Sequence, residues 1–135
     1  MLLLLKRLFS TFVPAIFWTI LIQVLLCLPG SSIPSGGIFS TPQIDKLVHV
    51  TLFGGFTWLW SYWLYRRGVN NLALLFFIIY IIAAADGIVL EFVQRDYIPN
   101  RSFDPVDIIA DMGGASIAFG ICNIRYAGRA IKKPL

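Results

Sequence analysis

The sequence predicts an all-α protein: an integral membrane bundle of four transmembrane helices, with both termini in the cytoplasm. Three observations carry this expectation. The 135 residues are 58% hydrophobic and only 13% charged, whereas a soluble domain gives about a quarter of its residues to charge. The apolar residues gather in blocks close to the roughly 20 residues a helix needs to cross the hydrocarbon core, not at the period of an amphipathic surface helix. Basic residues flank those blocks in ones and twos, which is the pattern that sets membrane topology.

The first span covers about residues 8–28 and stops at Pro29-Gly30, with Pro14 inside its first two turns, where a kink is tolerated. Its leucines precede the basic pair Lys6-Arg7, unlike a signal peptide. Leu26 also stands where a lipoprotein cleavage box needs a small residue, so the block reads as a retained helix. The loop "PGSSIPSGGIFSTP" follows. A second span covers 44–65 and ends before Arg66-Arg67, and a third covers 71–91 around "LALLFFIIYIIAAA". Turn residues fill "RDYIPNRSFDP". The fourth span, 105–124, is the least hydrophobic and is rich in small residues, Gly113, Gly114, Ala115, Ser116, Ala118 and Gly120. Small residues permit close helix approach, so this helix is expected inside the bundle. The whole chain, 1–135, is long enough for one domain.

Lys6, Arg7, Arg66, Arg67, Arg125, Arg129, Lys132 and Lys133 fall on one side of this layout, and only Lys46, Arg95 and Arg101 on the other. The positive-inside rule then puts the termini in the cytoplasm. Cys27 and Cys122 lie near opposite faces, too far apart for a disulfide. The net charge of +4 comes from these flanks. With no long basic run and no RNA-binding aromatic motif, nucleic acid is excluded as a partner.

The layout brings distant polar residues to one depth at the outer face. Asp45 and His49 open the second span, Glu91 and Gln94 close the third, and Asp104 and Asp107 open the fourth. Spacing i, i+4 puts Asp45 and His49 on one helix face, while Lys46 points elsewhere. The plain reading of Asp45 is a first-turn acid complementing the helix dipole, and that of His49 an interfacial side chain. Gly87, Glu91 and Gln94 form one stripe, and the plain reading of Glu91 is a carboxylate snorkelling to the headgroups. Asp104 before Pro105 reads as an N-cap, and Asp107 as the partner in a capping box. Capping cannot explain Asp111, about 10 Å further along the axis. It needs a proton, a cation or a basic partner, and Arg101 and His49 are the nearest. Asp86 is a second deep acid, about 140° around the helix from Glu91, which pairs with another helix or stays protonated. Asn100-Arg101-Ser102 matches a glycosylation sequon and reads as chance.

"DKLVHVTLFGG", "GIVLEFVQ" and "NRSFDPVDIIADMGGASIAFG" follow a pattern of D-K-x-x-H, G-x-x-x-E-x-x-Q, a short loop with arginine, and D-x-x-D-x-x-x-N-x-x-G. In this the chain resembles the VanZ-like membrane protein family. The match runs through Asp45, Lys46, His49, Phe53, Gly87, Glu91, Gln94, Arg101, Asp104, Asp107 and Gly114. It departs at Asp111, where the family has asparagine, and Asp86 lies outside the pattern. The resemblance implies a multi-pass protein of the bacterial cytoplasmic membrane, part of the cell envelope and associated with resistance to the glycopeptide teicoplanin. It implies no particular reaction.

Four functions fit the residues. An enzyme acting on an envelope lipid or lipid-linked glycan would use His49 or Glu91 as general acid–base, oriented by Asp45. Arg101, with Gln94 and Lys46, would hold an anionic headgroup such as a phosphate, and the aspartates would hold it through a bridging divalent metal. Asp104, Asp107 and Asp111 would supply the oxygen ligands that favour Mg²⁺ or Ca²⁺. An accessory protein would bind a lipid headgroup, a glycopeptide or a partner without turnover. A proton-coupled carrier would rely on Asp86 and Asp111 and, with four spans, would need to dimerise. A structural network would only fix the bundle. The topology has a direct check: a cysteine introduced at position 100 should react with an impermeant maleimide added outside the cell. Labelling only from the cytoplasmic side would overturn the orientation.

Overall fold

Prolines and glycines set the helix boundaries. The computed structural model describes residues 11–32, 36 and 41–128. Helix α1, Val13–Leu26, begins with Pro14 in its first turn, where the missing N–H has no intrahelical partner to lose. Helix α2, Pro42–Arg67, starts on a proline and ends at Gly68, whose φ of 64° closes the helix in the left-handed region. Helix α3, Leu72–Tyr97, ends at the extended residue Ile98 because Pro99 disfavours helical geometry in the residue before it. Helix α4, Pro105–Cys122, is capped by Asp104, whose side chain accepts from the Val106 N–H at 2.8 Å. It continues as a π-helical turn, Asn123–Ala127. Among the described residues there is one further 3₁₀ turn, Gly30–Ser32, and no strand.

The all-α expectation holds, with changes at the ends. Thr11 and Phe12 are not helical, so Pro14 opens α1 instead of kinking it. Helix α3 runs six residues past Glu91, through Arg95, Asp96 and Tyr97, because no breaker intervenes before Pro99. Residues 8–10 of the first expected span, Lys6, Arg7, Arg129, Lys132 and Lys133 lie outside the described residues. Among the described residues two helices, not four, are by length and composition long and apolar enough to cross a membrane: α3, and α4 with its extension to Ala127. Helix α1 is apolar but has 14 described residues, about 21 Å of helix against a hydrocarbon core of about 30 Å. Helix α2 has the length, at 26 residues, but Asp45, Lys46 and His49 fill its first two turns.

Helix α2 packs most extensively on α4, and glycine makes the approach possible. A Cβ on Gly114 would collide with the backbone carbonyl of Val50, and one on Gly54 would lie 3.2 Å from the Gly114 carbonyl. Helix α1 is fastened by side-chain hydrogen bonds. The Trp18 indole donates to the Leu52 carbonyl at 2.8 Å, and the Trp60 indole donates to the Thr19 hydroxyl at 3.1 Å. Gln23 donates to Asp86 at 2.8 Å, which is the partner on another helix that Asp86 required. Ile22, Leu52, Phe53, Phe56, Ile79, Ala83 and Ala115 fill the centre. Towards the other end, Phe76 and Cys122 pack beneath the stacked rings of Tyr65 and Tyr126, 4.6 Å apart. Cys27 and Cys122 are both free.

The two surfaces of the bundle are inverted relative to a soluble protein. Ile109 is 67% exposed while Asp111, two residues on, is 1% exposed. Phe17, Ile20, Leu74, Ile82, Val89, Ile117 and Ile124 face outward, while His49, Glu91, Gln94, Asp107 and Asp111 are buried. Two glycines one residue apart test the packing. Gly114→Ala must push α2 from α4 and should cost about 1–3 kcal/mol. Gly113→Ala meets open space and should be neutral or stabilising by up to about 1 kcal/mol. Thermal unfolding of the detergent-solubilised variants measures both, and equal melting temperatures would contradict the close crossing.

Candidate functional site

Three helix ends deliver the polar residues. The first two turns of α2 present Asp45, Lys46 and His49, the last turns of α3 present Glu91 and Gln94, and the start of α4 presents Asp104, Asp107 and Asp111. The structure brings these residues together at one end of the bundle, as the sequence predicts. Their pairings differ in several places.

His49 is the centre of the group. Its Nδ1 lies 2.8 Å from Asp111 Oδ1, and both side chains are 1% exposed. Asp111 therefore takes His49, not Arg101, as its basic partner. The expected orienting residue, Asp45, is not the one bonded to the ring; Asp111 reaches it from α4 because Gly114 lets the helices meet one turn below. Gly87 clears the other side, since a Cβ there would stand 2.7 Å from Asp111 Oδ2. The far nitrogen of the ring, Nε2, is buried with no hydrogen-bond partner. It faces Asp107 Oδ2 at 3.9 Å, beyond hydrogen-bond range.

Lys46 does not point away from the cluster. Its ammonium bonds Asp104 Oδ2 at 2.5 Å and Asp107 Oδ1, and lies 3.6 Å from Asp45 Oδ2. Asp107 thus serves an ion pair across helices, not a capping box, since a four-carbon stem from α2 can reach α4 over the crossing. Asp104 caps α4 as expected and shares Lys46. The Lys46 hydrogen bond, with help from the Val106 N–H, holds its carboxyl below the usual carboxylate range. That contribution to stability is present at neutral pH and is lost as pH falls through the lowered value.

Glu91 is 1% exposed, so it does not snorkel to a surface. Its Oε2 accepts the Asp104 backbone N–H at 2.8 Å, clamping the start of α4 to α3. Gln94, also 1% exposed, donates to the Leu26 carbonyl at 2.8 Å and ties α3 to the end of α1. Arg101 stands at the rim, half-buried, with Nε 3.5 Å from the Leu28 carbonyl. Its remaining guanidinium donors are available to a ligand. The loop before α2 and the loop before α4 meet where the Gly30 N–H donates to the Pro99 carbonyl at 3.0 Å.

Five carboxylates thus surround one lysine and one histidine. The trio expected to hold a cation, Asp104, Asp107 and Asp111, is divided, with the first two on Lys46 and the third on His49. The side chains whose ligand atoms converge within 4.8 Å of one another are instead Asp45, His49 and Asp107. Sequence reading missed Gln23, a lone amide in an apolar run that anchors Asp86. Its signal was that an unpaired amide is costly in such a segment.

No family model, curated protein or solved structure matches the chain.

The clamp made by Glu91 has a clear test. Glu91→Gln keeps an acceptor for the Asp104 N–H and should hold stability within about 1 kcal/mol, while Glu91→Leu strands that N–H and should cost about 1–3 kcal/mol. If Glu91→Leu melts with the parent protein, the hydrogen bond does not hold the loop.

Proposed function

We propose that this chain is a VanZ-like integral membrane protein of the bacterial cytoplasmic membrane. In this reading four helices span the bilayer, the termini are cytoplasmic, and the polar cluster lies at the outer face. There it engages the polar headgroup of an envelope lipid, a lipid-linked glycan or a glycopeptide. The observation that carries the reading is His49, whose Nδ1 is held by Asp111 while Nε2 is buried without a partner. Natural proteins seldom leave such an atom unpaired, and a catalytic role or a bound ion is among the reasons that they do.

Other features support the same reading. The exposed surface of α3 and α4 is apolar while the acids are inside, which suits lipid as the surrounding solvent. An open apolar groove of about 500 Å³ starts at Val50 and Thr51, next to His49 in the chain, and continues along Gly54, Ile117 and Ile121. It offers an acyl chain a place beneath a headgroup held at the cluster. Arg101 at the rim has the planar donors that suit a phosphate. The carrier reading is less well supported, because Asp86 and Asp111 are bonded to different partners, Gln23 and His49, and form no relay.

The test is functional. Expression of the chain in a teicoplanin-sensitive bacterium should raise the teicoplanin concentration that stops growth. His49→Ala and Arg101→Ala should each abolish that increase at unchanged membrane abundance. Full protection by both variants, or none from the parent chain, would remove this reading.

A further inference from the structure

We infer that Asp45, His49 and Asp107 form a binding site for a first-row divalent transition ion, of which Zn²⁺ and Mn²⁺ are the best fits. One ligand atom from each residue lies within 4.8 Å of the others. Asp45 and His49 lie one turn apart on α2, so their side chains leave the same helix face. Asp107 comes from the first turn of α4, across the glycine-lined crossing.

Acids gathered in this way do not by themselves make a metal site. The second observation is His49 Nε2, a ring nitrogen in a side chain 1% exposed, with no hydrogen-bond partner and directed at Asp107 Oδ2. Two ligands bound at 2.0–2.1 Å to one tetrahedral ion stand about 3.4 Å apart. The 3.9 Å between Nε2 and Oδ2 needs to close by only a few tenths of an ångström. Asp45 is partly exposed, which leaves its carboxylate free to turn towards the ion.

The surroundings have the form that metal-binding histidines require. A ligating imidazole usually donates its other nitrogen to a carboxylate, which fixes the tautomer and the ring plane. Asp111 Oδ1, 2.8 Å from Nδ1, is placed to do this. Asp111 is thus a positioning residue and not a ligand. Lys46 occupies Asp107 Oδ1 and Asp104 Oδ2, so it neutralises part of the acidic charge and leaves Asp107 Oδ2 for the ion. With Asp45, Glu91 and Asp111 added to these acids, one lysine cannot balance the group.

The donor set chooses the metal. One imidazole nitrogen with two carboxylates suits zinc or manganese, whereas Mg²⁺ and Ca²⁺ call for oxygen alone. Three protein ligands leave at least one position open, as in sites that receive a further ligand. An oxyanion of a headgroup fits that position and would meet a cation among side chains that otherwise repel it. That last role rests on the function proposed above; binding of the ion does not.

The competing arrangement is a protonated His49 bridging Asp107 and Asp111 with no metal, and titration separates the two. The tag-free full chain, purified in detergent and stripped with EDTA, is titrated with Zn²⁺, Mn²⁺ and Ca²⁺ by calorimetry, and with Co²⁺ by visible absorption. One Zn²⁺ per chain is expected, with Ca²⁺ at least tenfold weaker and cobalt bands typical of nitrogen and oxygen ligands. Asp45→Asn and Asp107→Asn should each weaken binding tenfold or more, and Asp111→Asn by about 10–100-fold at unchanged stoichiometry. Asp45→Asn removes a partly exposed ion pair with Lys46 at 3.6 Å and a first-turn acid, each a weak contribution to stability, so the variant should stay folded and keep the test independent of folding. No saturable uptake, or uptake unchanged in Asp45→Asn and Asp107→Asn, would overturn the site. Because no headgroup is present, that failure is separate from any failure of the susceptibility assay.

Discussion

The bond between His49 and Asp111 is the constraint around which the rest of the bundle is arranged. Both groups are buried and both are polar, so neither is tolerable alone. Bringing them to 2.8 Å requires α2 and α4 to approach more closely than ordinary side chains allow. Gly114 and Gly54 provide the approach, and Gly87 clears the side of α3 that Asp111 would otherwise strike. Lys46, Glu91 and Gln94 then pair across the three helix ends, and His49 Nε2 and Asp111 Oδ2 are left buried without a partner. Small residues, ion pairs and caps at this end are parts of one solution to one burial problem.

This solution also explains the unusual division of labour between the helices. Helix α2 carries Asp45, Lys46 and His49 and is too polar to pass as a membrane span by composition, while α1, α3 and α4 carry most of the apolar outer surface. Helix α1 acts as a strut. Its Trp18 and Gln23 donate to Leu52 and Asp86, and its Thr19 hydroxyl and Leu26 carbonyl accept from Trp60 and Gln94, so its position depends on hydrogen bonds as well as apolar packing. Such bonds gain weight where water is scarce, because a missed partner cannot be replaced by solvent.

Much of this was legible in the sequence because turn chemistry and carboxylate placement are local signals. Pro42 and Pro105 mark helix starts by backbone sterics, Asp104 adds a capping hydrogen bond, and the convergence of Asp45, His49, Glu91 and Asp107 follows from counting the helix ends. The pairings were not legible. Whether His49 meets Asp45 or Asp111 depends on how closely two helices approach, which no residue reports by itself. Lys46 was misplaced because side-chain direction was judged on its own helix, whereas its long stem crosses to the next one. The plain reading of Glu91 as a snorkelling carboxylate comes from ending the span there, although the nearest breaker, Pro99, lies eight residues further on and α3 continues to Tyr97.

Gly87 carries a consequence for how this sequence can change. The hollow above its Cα is filled by the carboxylate of Asp111, 2.7 Å from where a methyl group would sit. A larger residue at 87 must displace the Asp111 carboxylate, and displacing it loosens its hold on the His49 ring. The two positions are therefore coupled. The register of α3 against α4 is keyed by one missing side chain, and sliding either helix by a single residue would jam the lock.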